Sequence, residues 1–298
     1  MCEDLGKVIS FINMKGGVAK TTLTINVAKR LSELGNKVLV VDMDPQFNAT
    51  QSLLLYGTSY YNISKDSDLD EKLLEEETKS SEFYQNLSDN KKTVLQMFES
   101  SNIDKPLDNA SVTQNICKNL YLIPGDLTMA KEIAGDTSGK VGAVFNHFAD
   151  NNILKDYKYI LIDCPPTWSI LTHASLFASD YYVIPSKVDL YSSIGIKLLE
   201  QQINEKIYND RVYKMTNRKL NRLGVIFTLV HKNIKSEAYR KSSLKSNFED
   251  IDFFDADLPY IPSVPTRFIM FDEAKSDSKY SELINSIEKI TDEIISKL

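Results

Sequence analysis

The octet Lys15-Gly16-Gly17-Val18-Ala19-Lys20-Thr21-Thr22 constrains this chain more than any other feature. An apolar run, Lys7 to Ile12, leads into it, and Leu23, Val27, Leu31 and Leu34 follow at near-helical spacing with Gly35 as the stop. A glycine-rich turn between a strand and a helix N-terminus is where backbone N–H groups converge on an anion. Gly16 and Gly17 let the backbone approach phosphates, with Val18 and Ala19 completing the loop. Lys20 would neutralise β- and γ-phosphates and the Thr21 hydroxyl suits Mg²⁺, with Thr22 beside it. The ordinary pattern G-x-x-x-x-G-K-[ST] is not met strictly, because Met14 and Ala19 stand at its glycine positions.

Further apolar runs set the rest of the architecture. Lys37 to Val41 and Tyr159 to Ile162 read as fully buried strands, and Leu120–Ile123, Tyr181–Ile184 and Leu223–Val230 are further candidates. Their alternation with helical patterns predicts an α/β fold with a mainly parallel twisted sheet flanked by helices on both faces. Two of these runs end in acids: Asp42-Met43-Asp44-Pro45-Gln46 and Asp163-Cys164-Pro165-Pro166. Carboxylates at the carboxyl ends of parallel strands lie in the crevice where open α/β sheets bind ligands. There Asp44 would orient or partly deprotonate an attacking water, Asp42 would help hold a metal shell, and Asp163 would reach Mg²⁺ through water.

Charge is uneven along the 298 residues, although the net value is only −6. Residues 60–110 hold 12 acidic and 6 basic residues, residues 195–245 hold 12 basic and 4 acidic, and residues 246–298 hold 12 acidic and 5 basic. The span 57–118 is rich in Ser, Asn, Asp, Glu and Lys, with a weak helical segment near Leu69–Leu74, and reads as an acidic insertion within one domain, 1–298. Cys2, Cys117 and Cys164 lack paired or metal-ligand spacing. The start MCEDLGK has no apolar leader core and no run is long enough to span a bilayer, so a cytoplasmic protein is expected. His147, His173 and His231 stand isolated, which favours packing or solvation over catalysis.

Three motifs in order, KGGVAKTT, VVDMDPQ and ILIDCPP, each after a strand, resemble the ParA/MinD family of P-loop ATPases with a deviant Walker A motif. Weaker similarity runs through LIPGDL at 122–127, YYVIPSKVDLYSSIGIKLL at 181–199 and the strand at 224–228. DMDPQFNATQSLL is most similar to the ParA branch, which segregates plasmids and chromosomes. The resemblance implies a P-loop NTPase fold, ATP and Mg²⁺ as cofactors, and weak, partner-stimulated hydrolysis. Lys15, the signature lysine, would reach the nucleotide of a second subunit in an ATP-bound homodimer. Lys20, Thr21 and Thr22 match the phosphate and Mg²⁺ residues, Asp44 the acid that positions water, and Asp163 the Walker-B acid. Ala19 and Phe47 depart from the family pattern, where glycine and a small residue are usual.

The resemblance also implies non-specific double-stranded DNA and a centromere-binding (ParB-type) protein as partners. The basic block offers Arg218, Lys219, Arg222, Lys235, Arg240, Lys241 and Lys245 for phosphate contacts, provided they share a face. Only about six residues precede the first strand, so no DNA-reading helix-turn-helix is expected there. MinD-like membrane positioning is the rival. The last helix has an apolar stripe (Leu283, Ile284, Ile287, Ile290, Ile294, Leu298) but an acidic polar side, which disfavours anionic lipid and favours packing in the core. The motifs also suit a non-hydrolysing ATP-dependent scaffold or an ATP-dependent ligase, whereas cysteine placement disfavours a cluster-bearing metal carrier.

Overall fold

The computed structural model describes residues 5–61, 69–99, 106–133, 139–232, 234–262 and 270–298. Cys2 and the parts of the insertion at 62–68 and 100–105 lie outside the described residues. In chain order the elements are β1 (Lys7–Phe11), α1 (Lys20–Glu33), β2 (Val38–Asp42), α2 (Asn48–Tyr61), α3 (Leu69–Asp89), α4 (Leu95–Glu99), α5 (Asn109–Val112), β3 (Gln114–Cys117) and β4 (Leu120–Ile123). Then come α6 (Met129–Glu132), α7 (Ala143–Asp150), α8 (Ile153–Asp156), β5 (Tyr159–Asp163), α9 (Ile170–Ala178), β6 (Tyr181–Lys187), α10 (Ser192–Ile203), α11 (Arg211–Met215), β7 (Asn221–Val230), α12 (Lys235–Ser246), β8 (Leu258–Pro259) and α13 (Ser281–Lys297).

The eight strands lie in the order β3-β4-β2-β5-β1-β6-β7-β8. All neighbours are parallel except β3, which pairs antiparallel with β4 at the edge. Central strands are buried on both sides, which is why they read as continuous apolar runs rather than alternating ones. Strand alternation divides the core: Val8, Leu39, Val41, Ile160 and Ile162 join one buried layer, whereas Ile9, Phe11, Val38, Val40 and Leu161 join the other. At the carboxyl ends the register places Asp163 opposite both Phe11 and Asp42. Two strand-end carboxylates are thus neighbours beside the loop that leaves β1.

The acidic span 57–118 contains the end of α2, then α3, α4, α5 and β3. Several of its side chains, among them Leu87, Val94, Leu95, Met97, Phe98, Val112 and Ile116, are buried in the two layers around the sheet. Helix α13 lays Leu283, Ile287, Ile290 and Ile294 against the core beside α1, so the apolar stripe is used within the molecule. Among the described residues no helix is long and apolar enough to cross a membrane.

Candidate nucleotide site

The loop between β1 and α1 is held by β6, by β7 and by a bond of its own. Asn13 donates through Nδ2 to the Pro185 carbonyl of β6 and accepts from the Lys15 N–H, at 2.7 and 2.9 Å. Thr228 of β7 donates its hydroxyl to the Val18 carbonyl at 2.9 Å. Gly17 has φ +66°, and a Cβ there would meet nothing nearer than the Lys187 ammonium at 3.9 Å. Ala19, the N-cap of α1, takes φ 58°, a left-handed conformation glycine adopts without the Cβ penalty. Val18 and Lys20 are buried, and α1 begins at Lys20 with Thr21 and Thr22 in its first turn.

Thr21 donates its hydroxyl to Asp163 Oδ2 at 2.6 Å, and Thr24 donates to Asp163 Oδ1 at 3.3 Å as well as to the Lys20 carbonyl. Asp163 is fully buried, and burial raises its carboxyl above the ordinary range against the pull of Lys20 and Thr21. Asp42 is raised too, first by burial and then by the Asp163 carboxylate. The buried Asp163 carboxylate, held by the Thr21 hydroxyl and with the Asp44 carboxylate nearby, is a donor set that a divalent cation would complete. Mg²⁺ therefore fits, with Thr21 and Asp163 as the residues that would hold it.

The metal role expected of Asp42 does not match its surroundings. Its Oδ2 accepts from both the Thr50 N–H and the Thr50 hydroxyl at 2.8 Å, and its Oδ1 accepts from the Asp44 N–H at 3.2 Å. With no exposed surface and its lone pairs engaged inside the fold, Asp42 ties the first turn of α2 to the end of β2. Gly125 completes this corner: its N–H donates to the Thr50 hydroxyl, and a Cβ there would come within 3.1 Å of the Asp42 carboxyl carbon. Asp44 is 6% exposed; its Oδ1 accepts from the Gln46 N–H and its carbonyl from the Phe47 N–H, a tight turn that presents the carboxylate beside Asp163.

Lys15 makes an ion pair with Asp189 of the same chain, in the loop after β6. Sequence reasoning missed Asp189, Lys187, Thr24 and Thr50. Lys187 has no ion-pair partner among the described residues and lies over Gly17. Only the strand-end position of the KVDLYSS segment could have marked the first two.

The basic block does not form one track. Arg218 caps the C-terminus of α9, donating to the Phe177 and Ala178 carbonyls at 2.6 and 2.9 Å and pairing with Asp180. Arg222 pairs with Glu200 and donates to the Asp250 carbonyl, and Lys241 pairs with Asp257. These three are half-buried struts, which corrects their assignment to DNA. Lys219, Lys235, Arg240 and Lys245 remain exposed. The last three recur every five residues on α12, which fans them roughly 140° apart rather than stacking them.

Comparison with known proteins places this geometry. The AAA domain family matches residues 6–221. The sporulation initiation inhibitor Soj of Bacillus subtilis is 28% identical over 229 residues, covering 76% of this chain and 74% of Soj. The chromosome-partitioning ATPase Soj of Treponema pallidum is 28% identical over 230 residues, with 76% and 72% covered. Among solved structures, a Borrelia burgdorferi plasmid partition protein bound to AMPPNP superposes with a TM-score of 0.70 at 21% identity, covering 99% of this chain and 100% of that one. The cobyrinic acid a,c-diamide synthase of Mycobacterium smegmatis, bound to an ATP analogue and magnesium, gives 0.69 at 20% identity with 97% and 93% covered, so the fold alone does not separate a partition protein from a synthase. The family match and the two Soj relatives decide the group: this chain belongs to the AAA-domain family, within its ParA/MinD group of P-loop ATPases.

Proposed function

We propose that the chain is a DNA partition ATPase whose ATP-bound form is a homodimer that binds double-stranded DNA without sequence preference. The observation carrying this reading is the convergence of Lys20, Thr21, Asp44 and Asp163 at the ends of β1, β2 and β5, with Thr21 and Asp163 2.6 Å apart. Backbone N–H groups of residues 16–22 cradle the phosphates, and Lys20 meets the charge of the β- and γ-phosphates. Bound Mg²⁺ would neutralise the same oxygens. Asp44 accepts a proton from, or orients, the water aimed at the γ-phosphorus, and the buried walls keep other water out. Lys15 leaves Asp189 to reach the nucleotide of the second subunit, so that ATP joins the two. Lys235 and Lys245, which α12 holds within roughly 80° of each other, are the DNA contacts, with the exposed Lys219 and Arg240 off that face, and a centromere-binding protein stimulates hydrolysis and release. The protein then acts in the cytoplasm, on the nucleoid while ATP-loaded.

Sizing the protein with and without Mg-ATP, then titrating random-sequence duplex at two salt concentrations, tests the assembly. Phosphate release tests the chemistry: Asp44→Ala is expected to lower it by at least about 100-fold while ATP still binds. Hydrolysis untouched by that substitution sinks the assignment, and hydrolysis absent from the wild type, with or without DNA, makes the protein a scaffold.

A further inference from the structure

Lys187 ends β6, outside the glycine-rich octet, and backbone register sets where it stands. Strand β1 stops at Phe11 opposite Val183, so β6 runs on beside the loop. The Pro185 carbonyl takes the Asn13 amide there, and Lys187 then comes level with the glycines. Its ammonium is 3.9 Å from where a Gly17 Cβ would stand, nearer to that point than any atom beyond Gly17 and its chain neighbours. On its other side Lys187 pairs in register with Thr228, whose hydroxyl holds the Val18 carbonyl. Ser192 fixes the strand end, donating to the Lys187 carbonyl and accepting from the Asp189 N–H.

Charge separates Lys187 from the other two lysines of the loop. Lys15 has Asp189, and Lys20 acts on the buried Asp163. Asp189 lies two residues from Lys187, yet its oxygens are taken by Lys15, Ser192 and the Tyr191 N–H. Lys187 is half-buried, and among the described residues its ammonium has neither an acid nor a hydrogen-bond acceptor. An unmatched cation over a glycine loop suits an anion held in that loop. The strand order puts β6 on the opposite side of β1 from β5 and β2, so Lys187 meets the loop from the flank away from Asp163 and Asp44. A phosphate chain in the loop would have the acids on one flank and this ammonium on the other. Its charge then falls on the phosphates remote from the water-positioning acid. We propose that Lys187 is a phosphate-binding residue for the nucleotide of its own chain, a second ammonium beside Lys20 that holds the diphosphate portion common to ADP and ATP. The proposal rests on nucleotide binding as read above and adds no chemical step. A cation held equally in ground and transition states lowers KM and leaves kcat alone.

The test titrates Mg-ADP and Mg-ATP calorimetrically into the full chain, with light scattering to report its size. Lys187→Met and Lys187→Gln keep most of the aliphatic stem and remove the charge, whereas Lys187→Arg keeps the charge. Circular dichroism establishes that each variant is folded. Both neutral variants are expected to bind ADP and ATP at least about tenfold more weakly, and Lys187→Arg less than about threefold. In phosphate release, KM for ATP should rise by the same factor while kcat stays within about twofold. The loss should persist in an Asp189→Asn background; its disappearance there would mean that Lys187 acts on Asp189 rather than on phosphate, which overturns the proposal. Unchanged ADP affinity in either neutral variant overturns it, whatever happens to ATP, and so does an equal loss in Lys187→Arg. A loss confined to dimeric protein would assign Lys187 to the second copy's nucleotide and also overturns it. A wild type that binds neither nucleotide sinks the ATPase reading and the proposal together, whereas a wild type that binds both alongside unaffected variants sinks the proposal alone.

Discussion

Lys15 and Asp189, 174 residues apart in sequence, form an ion pair across the mouth of the phosphate loop. Burial raises the Asp189 carboxyl, but hydrogen bonds from Lys15, Ser192 and the Tyr191 N–H outweigh it and hold the group below its usual range. The side chains are 37% and 33% exposed, so solvent screens the pair and its worth is modest, about 0.2–1 kcal/mol. If Lys15 serves a second subunit's nucleotide, this internal pair must break first. Asp189→Asn is therefore expected to tighten Mg-ATP-dependent dimerisation by about two- to fivefold, read by sedimentation. Weaker dimerisation would mean that Asp189 itself contributes to the interface.

The Asp42–Thr50 corner makes a separate prediction. Thr50→Val keeps the shape but removes the hydroxyl that donates to Asp42 and accepts from Gly125. A buried carboxylate that loses a donor destabilises the fold by about 1–3 kcal/mol, visible in chemical denaturation. Because the same corner fixes the turn bearing Asp44, phosphate release should fall while ATP affinity stays within about twofold. Loss of ATP affinity with unchanged turnover would assign Asp42 to nucleotide binding after all.

Ala19 offers a gain instead of a loss. At φ 58° its Cβ carries a left-handed penalty of about 1 kcal/mol that glycine does not. Nothing in the loop depends on the methyl group for a hydrogen bond. Ala19→Gly should raise the unfolding temperature by about 2 °C. A lower value would show that the methyl group, packed at the edge of the core, outweighs the backbone relief.

The arginine struts and the exposed lysines should separate in a DNA assay. Lys235→Ala with Lys245→Ala is expected to weaken duplex binding and reduce the dependence on salt by about two counterions. Arg218→Ala removes the cap of α9 and a partner of Asp180, so it should lower stability by about 1–3 kcal/mol. The folded fraction of Arg218→Ala should bind DNA with unchanged affinity. Equal loss of affinity in both variants contradicts the division.

Much of this site is legible in the sequence because each chemical group follows a fully buried parallel strand. Such strands read as unbroken apolar runs, and their carboxyl ends locate Lys15 to Thr22, Asp42, Asp44 and Asp163 before any coordinates. The stripe of α13 is legible for a similar reason, its period matching the helix. Partners are not legible. That Asp42 faces Thr50, Lys15 faces Asp189 and Arg222 faces Glu200 depends on crossovers that bring distant segments together. The short strand β3 escapes notice because it is a half-polar edge strand of four residues. The 21-residue α3 is also under-read, because its face toward the body depends on a few contacts such as Tyr84 on Phe47 rather than on a strong stripe.

His147 supplies the pH prediction. It is 4% exposed, its Nε2 lies 3.2 Å from Asn109 Oδ1, and its Nδ1 lies 3.3 Å from Asn151 Nδ2. A neutral ring donating from Nε2 and accepting at Nδ1 satisfies both amides; a protonated ring would set two donors face to face. Burial pushes its pKa down to about 4 from 6.5, with Asp108 pulling weakly the other way. The unfolded chain therefore takes up the proton first as pH falls, and this contribution to stability is intact above pH 6.5 and lost progressively toward pH 4. The loss is about 3 kcal/mol at most. Asp42 and Asp163, whose carboxyls are raised, contribute the opposite slope, so the comparison must be with a variant. His147→Gln retains an amide donor and acceptor but cannot titrate. Between pH 6.5 and 4 the stability difference between wild type and His147→Gln should shift in favour of the variant; a constant difference would show that His147 is protonated as readily in the folded protein as in the unfolded chain.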